Sequence, residues 1–120
     1  PVILEERVKE FYAGLEYPEQ NYPLRYMLMD YPTRDGCGEK IQAVTHEGGT
    51  GRIQTVRREN NPLYYRSIEL FGQATGVPVL LNTSFNLRGE PIVTTPANAL
   101  NTFSKSDIDT LYMDNFVVRK

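Results

Sequence analysis

Apolar positions recur along this chain at two spacings, and the switch between them marks its elements. Leu4, Val8, Phe11 and Leu15 fall at i, i+4, i+7 and i+11, with Glu5, Glu6, Arg7, Lys9 and Glu10 on the other faces. This spacing predicts a helix over residues 2–15. The stretch Tyr17 to Pro23 ends it as a loop. Apolar and aromatic runs at 24–31, 41–45 and 52–57 read as strands, and the glycines of Asp35-Gly36-Cys37-Gly38 read as turn. His46-Glu47-Gly48-Gly49-Thr50-Gly51 carries three glycines able to adopt positive φ, which predicts a tight reversal and an antiparallel pair.

The second half is better punctuated. Asn61 is a good cap, Pro62 suits the first helical position, Tyr64, Ile68 and Phe71 share a face, and Gly76 offers a stop. A helix is therefore predicted over 62–75. Val77 to Leu81 is too apolar for a half-exposed strand and reads as buried. Thr95-Pro96 opens another helix with Ala99, Leu100 and Phe103 inward. Residues 109–113 and 116–118 read as closing strands about an Asp114-Asn115 turn. A helix running straight into a strand near residue 76 suggests part of a crossover unit. The expected fold is α+β (α/β), a mixed twisted sheet with flanking helices.

Length and composition narrow this picture. The chain has 120 residues, enough for one domain spanning 1–120 and not for two. Hydrophobic residues are 40% of the total, so a packed core is expected. A net charge of -2 gives no reason to expect nucleic acid or a membrane surface as partner. No apolar run approaches the roughly 20 residues that span a bilayer. Cys37 is the only cysteine, so it forms no internal disulfide and builds no thiolate metal site alone. A cytoplasmic location is expected. Pro1-Val2-Ile3-Leu4 lacks a basic leader and reads as mid-domain sequence, so the chain is expected to be a piece of a longer protein.

Candidate chemistry concentrates where the Val77–Leu81 strand ends in Asn82-Thr83-Ser84-Phe85-Asn86-Leu87-Arg88. Ligands in open α/β sheets sit beyond the carboxyl ends of strands. Amides, hydroxyls and one arginine within seven residues suit an anion such as phosphate. The same side chains also cap turns through their own backbone, and composition leaves both readings open. Thr50, Arg52 and Gln54 alternate and on one strand would share a face, either lining a polar pocket or facing solvent on an edge hairpin. His46, the only histidine, is either a base or a solvated turn residue. Arg57-Arg58-Glu59 reads as a solvated strand end, and Tyr64 and Tyr65 as core with one hydroxyl reaching out. The glycines at 48, 49 and 51 make no Walker loop. Ser84 sits in no Gly-x-Ser-x-Gly elbow.

Three segments together, His46 to Val56, Asn61-Pro62-Leu63-Tyr64-Tyr65 and Gly76 to Val93 with its Asn82-Thr83-Ser84-Phe85-Asn86 core, strongly resemble the C-terminal domain of the NodU/CmcH-type O-carbamoyltransferases. The resemblance covers nearly the whole chain. It implies a YrdC-like domain that binds carbamoyl phosphate and ATP and makes carbamoyl adenylate. It also implies an N-terminal actin-like ATPase domain of the same protein, which carries the metal and passes the carbamoyl group to an acceptor hydroxyl. On this chain the resemblance implies Arg52 as phosphate ligand and Ser84 and Asn86 as nucleotide-phosphate ligands, with Asn82 beside them. Thr50, Gln54 and Arg88 would line the same pocket. Arg52 and Ser84 are the expected catalytic groups, and no metal is expected here.

One part of the pattern is not matched. A Lys-x-Arg element expected just upstream of Pro1 has no counterpart, since Lys9 and Lys40 do not fit it. An N-terminally truncated fold is thus expected, without adenylate turnover of its own. Exposed sheet edge is expected to favour a homodimer or aggregates. The alternative is a non-catalytic nucleotide- or phosphate-binding regulatory domain of the same fold.

Overall fold

The computed structural model describes all 120 residues, Pro1–Lys120. They pack as two compact units, Pro1–Asn82 and Thr83–Lys120.

The first unit is organised on a three-stranded mixed sheet in the order β4-β1-β5, formed by Val2–Leu4 (β1), Gln54–Val56 (β4) and Val79–Leu80 (β5). β1 runs parallel to β4, with Ile3 opposite Thr55, and antiparallel to β5, with Ile3 opposite Val79. Residues 2–4 are therefore strand, which corrects the helix expected over 2–15. Only a 3₁₀ turn at Glu5–Arg7 and one α-helical turn at Val8–Phe11 (α1) follow. The partners of β1 lie fifty or more residues away, so local spacing could not reveal them. Val2 and Ile3 have the β-branched side chains that a central strand favours, and both are wholly buried. Their alternation divides the core in two. Ile3 packs with Val8, Phe11, Tyr12 and Leu24, while Val2 and Leu4 pack with Val56, Tyr65 and Ile68.

A second ribbon joins Asp30–Pro32 (β2) to Thr50–Arg52 (β3), antiparallel. The strand expected over 24–31 is instead a 3₁₀ helix at Tyr22–Tyr26, turned by Met27 at φ 58° before β2 begins. Pro23 suits a helical first turn and offers no amide hydrogen to a ladder. The strand expected over 41–45 is a 3₁₀ turn at Gln42–Val44, which turns Ile41 and Val44, three residues apart, onto the core while Gln42 and Ala43 face solvent. The glycine-rich reversal is present. His46 N donates to Thr50 O at 2.8 Å and Gly49 takes φ 68°. Its ladder partner is β2 rather than 41–45. The run 52–57 splits into β3 and β4 about the fully buried Ile53.

The helix Pro62–Thr75 (α2) matches its expected limits, capped by Asn61, whose side chain accepts from Tyr64 N, and stopped by Gly76 at φ 79°. Its inward residues are Tyr65 and Ile68, with Phe71 largely exposed. α2 leads into β5, but β5 lies two strands from β4 and antiparallel to it, so the expected crossover is absent.

In the second unit, Thr95 caps Pro96–Lys105 (α3), accepting from Asn98 N at 3.1 Å. Ala99, Thr102 and Phe103 are buried, whereas Leu100 is not. Thr110–Met113 (β6) and Phe116–Arg119 (β7) form an antiparallel hairpin around Asp114, at φ 52°. The fold class is α+β with a mixed sheet, as expected. No helix is long and apolar enough to cross a membrane.

Candidate functional site

The polar ribbon of the first unit is built by pairing. Asp30 on β2 lies opposite Arg52 on β3, and Thr50 is two residues away on the same strand, so its side chain shares the Arg52 face. The reversal folds His46 back onto this ribbon, with Nδ1 3.2 Å from Thr50 Oγ1 and 3.9 Å from Asp30 Oδ1. The lone histidine is thus held by the ribbon.

Arg52 stands apart electrostatically. Arg7, Arg25, Arg57, Arg58 and Arg66 each face a carboxylate within 4 Å. Arg52 is exposed and makes neither an ion pair nor a side-chain hydrogen bond, and in this unit only Arg34 shares that state.

Thr50 and Gln54 do not share a strand, because β3 and β4 belong to different sheets. Gln54 is fixed at both ends of its carboxamide. Its Nε2 donates to Arg25 O at 3.3 Å, and its Oε1 accepts from Asn82 Nδ2. Asn82 follows β5 closely and Gln54 opens β4, so this bond ties the two outer strands of the sheet across their ends.

The remaining expected residues lie in the second unit. Ser84 and Arg88 are exposed. Asn86 organises the loop from inside, donating through Nδ2 to Leu87 O and Glu90 O, both at 3.1 Å. Its Oδ1 is buried without a partner. Such an orphaned acceptor costs free energy unless something donates to it. Val93 N to Phe85 O at 3.0 Å closes the loop base.

Sequence reasoning missed one polar cluster. Glu5 is only 8% exposed, yet its Oε1 receives Arg57 Nε at 2.6 Å and Arg25 Nε lies 3.9 Å from its Oε2. Arg57 also donates to Glu19 O. The solvated strand end expected at Arg57 is therefore an interior ion pair, and Arg58 stacks on Tyr65 at 4.4 Å. The one available signal was Glu5 placed directly after an apolar strand. The Tyr65 hydroxyl donates to Glu6 and so reaches out of the core as expected. No group of three or more His, Cys, Asp and Glu side chains is placed to hold a metal ion.

These features define an α+β module with an arginine-centred polar ribbon in its first unit and a polar loop in its second. The chain belongs to the carbamoyltransferase C-terminus family, whose profile matches residues 1–120. It is 42% identical over 120 residues to nodulation protein NolO of Bradyrhizobium diazoefficiens, covering 100% of this chain and 21% of that protein. It is 41% identical over 120 residues to nodulation protein NolNO of Sinorhizobium fredii, covering 100% and 17%. Over 90 residues it is 38% identical to the 3'-hydroxymethylcephem-O-carbamoyltransferase of Amycolatopsis lactamdurans, covering 75% and 16%. The chain spans about a fifth of the length of the curated relatives that match it throughout.

Proposed function

We propose that this chain contributes to an O-carbamoyltransferase by binding carbamoyl phosphate and ATP for the formation of carbamoyl adenylate. The observation that carries this reading is the uncommitted Arg52 guanidinium on the β2–β3 ribbon, in a unit where most arginines are neutralised. A fixed fork of donors suits phosphate oxygens, and an arginine with no protein partner needs no ion pair broken to receive them. Membership of the family and the carbamoyltransferase activity named for one relative support the carbamoyl chemistry.

The reaction makes its own demands. An oxygen of carbamate, released from carbamoyl phosphate by water with loss of phosphate, attacks the α-phosphorus of ATP, and pyrophosphate leaves. No side-chain nucleophile is needed. What is needed is positioning of anions and stabilisation of the charge that builds at the phosphorus. In this reading Arg52 holds the phosphate, with Thr50 beside it on β3. Gln54 and Asn82 hold the strand ends in register, and Ser84, Asn86 and Arg88 offer hydroxyl, amide and guanidinium donors as nucleotide-phosphate ligands in their own right. Transfer of the carbamoyl group to an acceptor hydroxyl, and any metal it needs, belong to an N-terminal actin-like domain of the same protein.

Carbamoyl-phosphate-dependent exchange of labelled pyrophosphate into ATP tests the proposal in the protein that carries this chain. Arg52→Ala should lower exchange by about a hundredfold, the order reported for loss of one preorganised charge-stabilising donor, with an unchanged melting curve. Unchanged exchange would point instead to a non-catalytic nucleotide- or phosphate-binding module.

A further inference from the structure

His46 is tied to Thr50 at two levels, backbone and ring. Its amide donates to Thr50 O at 2.8 Å, and its ring nitrogen Nδ1 lies 3.2 Å from Thr50 Oγ1. Gly49 N donates in turn to His46 O at 2.9 Å, so the reversal is closed by backbone bonds that do not need the ring. The ring is therefore free to serve some other end, and it is spent on one hydroxyl.

An imidazole nitrogen and a hydroxyl can share a hydrogen bond in either sense, and the sense decides what the hydroxyl can do next. If Nδ1 accepts, the single hydroxyl proton is used up on the ring, and Thr50 has none to offer an anion. If Nδ1–H donates, it fills a lone pair of Oγ1 and leaves the hydroxyl proton free to point onward. Asp30 selects between the two. Its Oδ1 lies 3.9 Å from the same Nδ1, and a carboxylate at that range favours a proton on that nitrogen over a bare lone pair. The other nitrogen, Nε2, has no protein acceptor to hold a proton there, and the side chain is 56% exposed.

The ribbon gives the freed proton a direction. Thr50 shares a strand face with Arg52, two residues and about 7 Å along an extended chain. Asp30 is the cross-strand partner of Arg52, yet the two form no ion pair, and the Asp30 carboxylate stands by the His46 ring instead. We propose that His46, its tautomer set by Asp30, is a positioning residue that makes the Thr50 hydroxyl a donor to the phosphate held by Arg52. That phosphate then meets a guanidinium and an oriented hydroxyl from one strand. The phosphate rests on the adenylate reading; the direction of the His46–Thr50 bond rests on the ribbon alone.

His46 is the only histidine, so nitrogen NMR of the 120-residue chain reads its tautomer without ambiguity. The neutral ring should carry its proton on Nδ1; a proton on Nε2 would overturn the proposal. The functional arm is carbamoyl-phosphate-dependent exchange of pyrophosphate into ATP, in the protein that carries this chain. Thr50→Val should lower exchange about tenfold or more, as loss of a hydrogen bond to a charged group does. His46→Ala keeps the backbone bonds and should lower exchange several-fold with an unchanged melting curve. His46→Asn, whose amide can donate from the place of Nδ1, should recover most of it. In the Thr50→Val background, His46→Ala should cost nothing further, a result that a merely structural role would not give. Loss with Arg52→Ala but none with His46→Ala, or a His46→Ala loss undiminished in the Thr50→Val background, would overturn the positioning role. Exchange indifferent to both Arg52→Ala and His46→Ala would remove the adenylate reading, and the phosphate role of Thr50 with it.

Discussion

Tyr12 is a buried side chain whose polar end finds no partner in its surroundings. It is 1% exposed, its hydroxyl has no partner, and it lies so close to β3 that a Cβ on Gly51 would sit 2.8 Å from that oxygen. Glycine at 51 is thus a matter of space. Burial pushes the Tyr12 pKa well above its ordinary value, because the phenolate would be stranded in an apolar core. The folded state then holds its proton more tightly than the unfolded state. Stability from this group is fully present below the unfolded pKa of about 10 and falls as pH rises beyond it, by at most about 1.4 kcal/mol per pH unit. Tyr12→Phe should leave urea stability at pH 7 unchanged or slightly higher, since no hydrogen bond is lost. It should also flatten the decline above pH 10, as midpoints measured from pH 7 to 11 would show. Part of that decline should persist. Tyr65, through its bond to Glu6 and then burial, and Tyr64, through burial, are also raised.

At the scale of elements, α2 makes a sharp test of packing against propensity. Gly72 lies inside this helix, where alanine would ordinarily gain about 1 kcal/mol. A Cβ there would meet Pro78 Cβ at 2.7 Å and Pro78 Cα at 3.0 Å. Backbone cannot swing aside as a side-chain tip can, and overpacking costs about 1–3 kcal/mol. Gly72→Ala should therefore destabilise the chain by up to about 2 kcal/mol in urea unfolding; a stabilised variant would show that the α2–Pro78 contact gives way. The helices α2 and α3 and the β6–β7 hairpin were legible in the sequence because their signals are local: a capping side chain, a proline, a turn. β1, β2 and the 3₁₀ segments were not. Val2–Leu4 carries helical spacing with Val8 and Phe11, and all of these are buried, but the decision for strand is made by Gln54–Val56 and Val79–Leu80. For the candidate site, residue type and alternation drew notice to Arg52, Gln54 and Asn82 but left them open between a polar pocket and solvent-facing or turn-capping positions; their expected roles came from the family resemblance. The Glu5–Arg57 pair drew none, because charged residues 52 positions apart announce nothing to each other in a linear reading.

At the scale of the molecule, β5 is an outer strand of its sheet, and an apolar hollow of about 370 Å³ lies beside it, lined by Val44, Phe71, Val77 and Leu81. Unpaired strand edges next to apolar surface recruit other chains. The 120-residue chain should self-associate at high concentration, and Leu81→Lys, at a position already 60% exposed, should shift light-scattering mass toward the monomer without changing the fold. Equal masses for both forms would show that this edge is not what joins copies. The placing of β1 has a further consequence, for the order of assembly. Val2 must meet Gln54 on one side and Leu80 on the other, so the sheet cannot zip up hairpin by hairpin. Its middle strand waits until two long loops have closed around it, an entropic toll met before any burial rewards it. Collapse of this unit is accordingly a single late event, in which the strand most deeply embedded at the end is among the last to be secured.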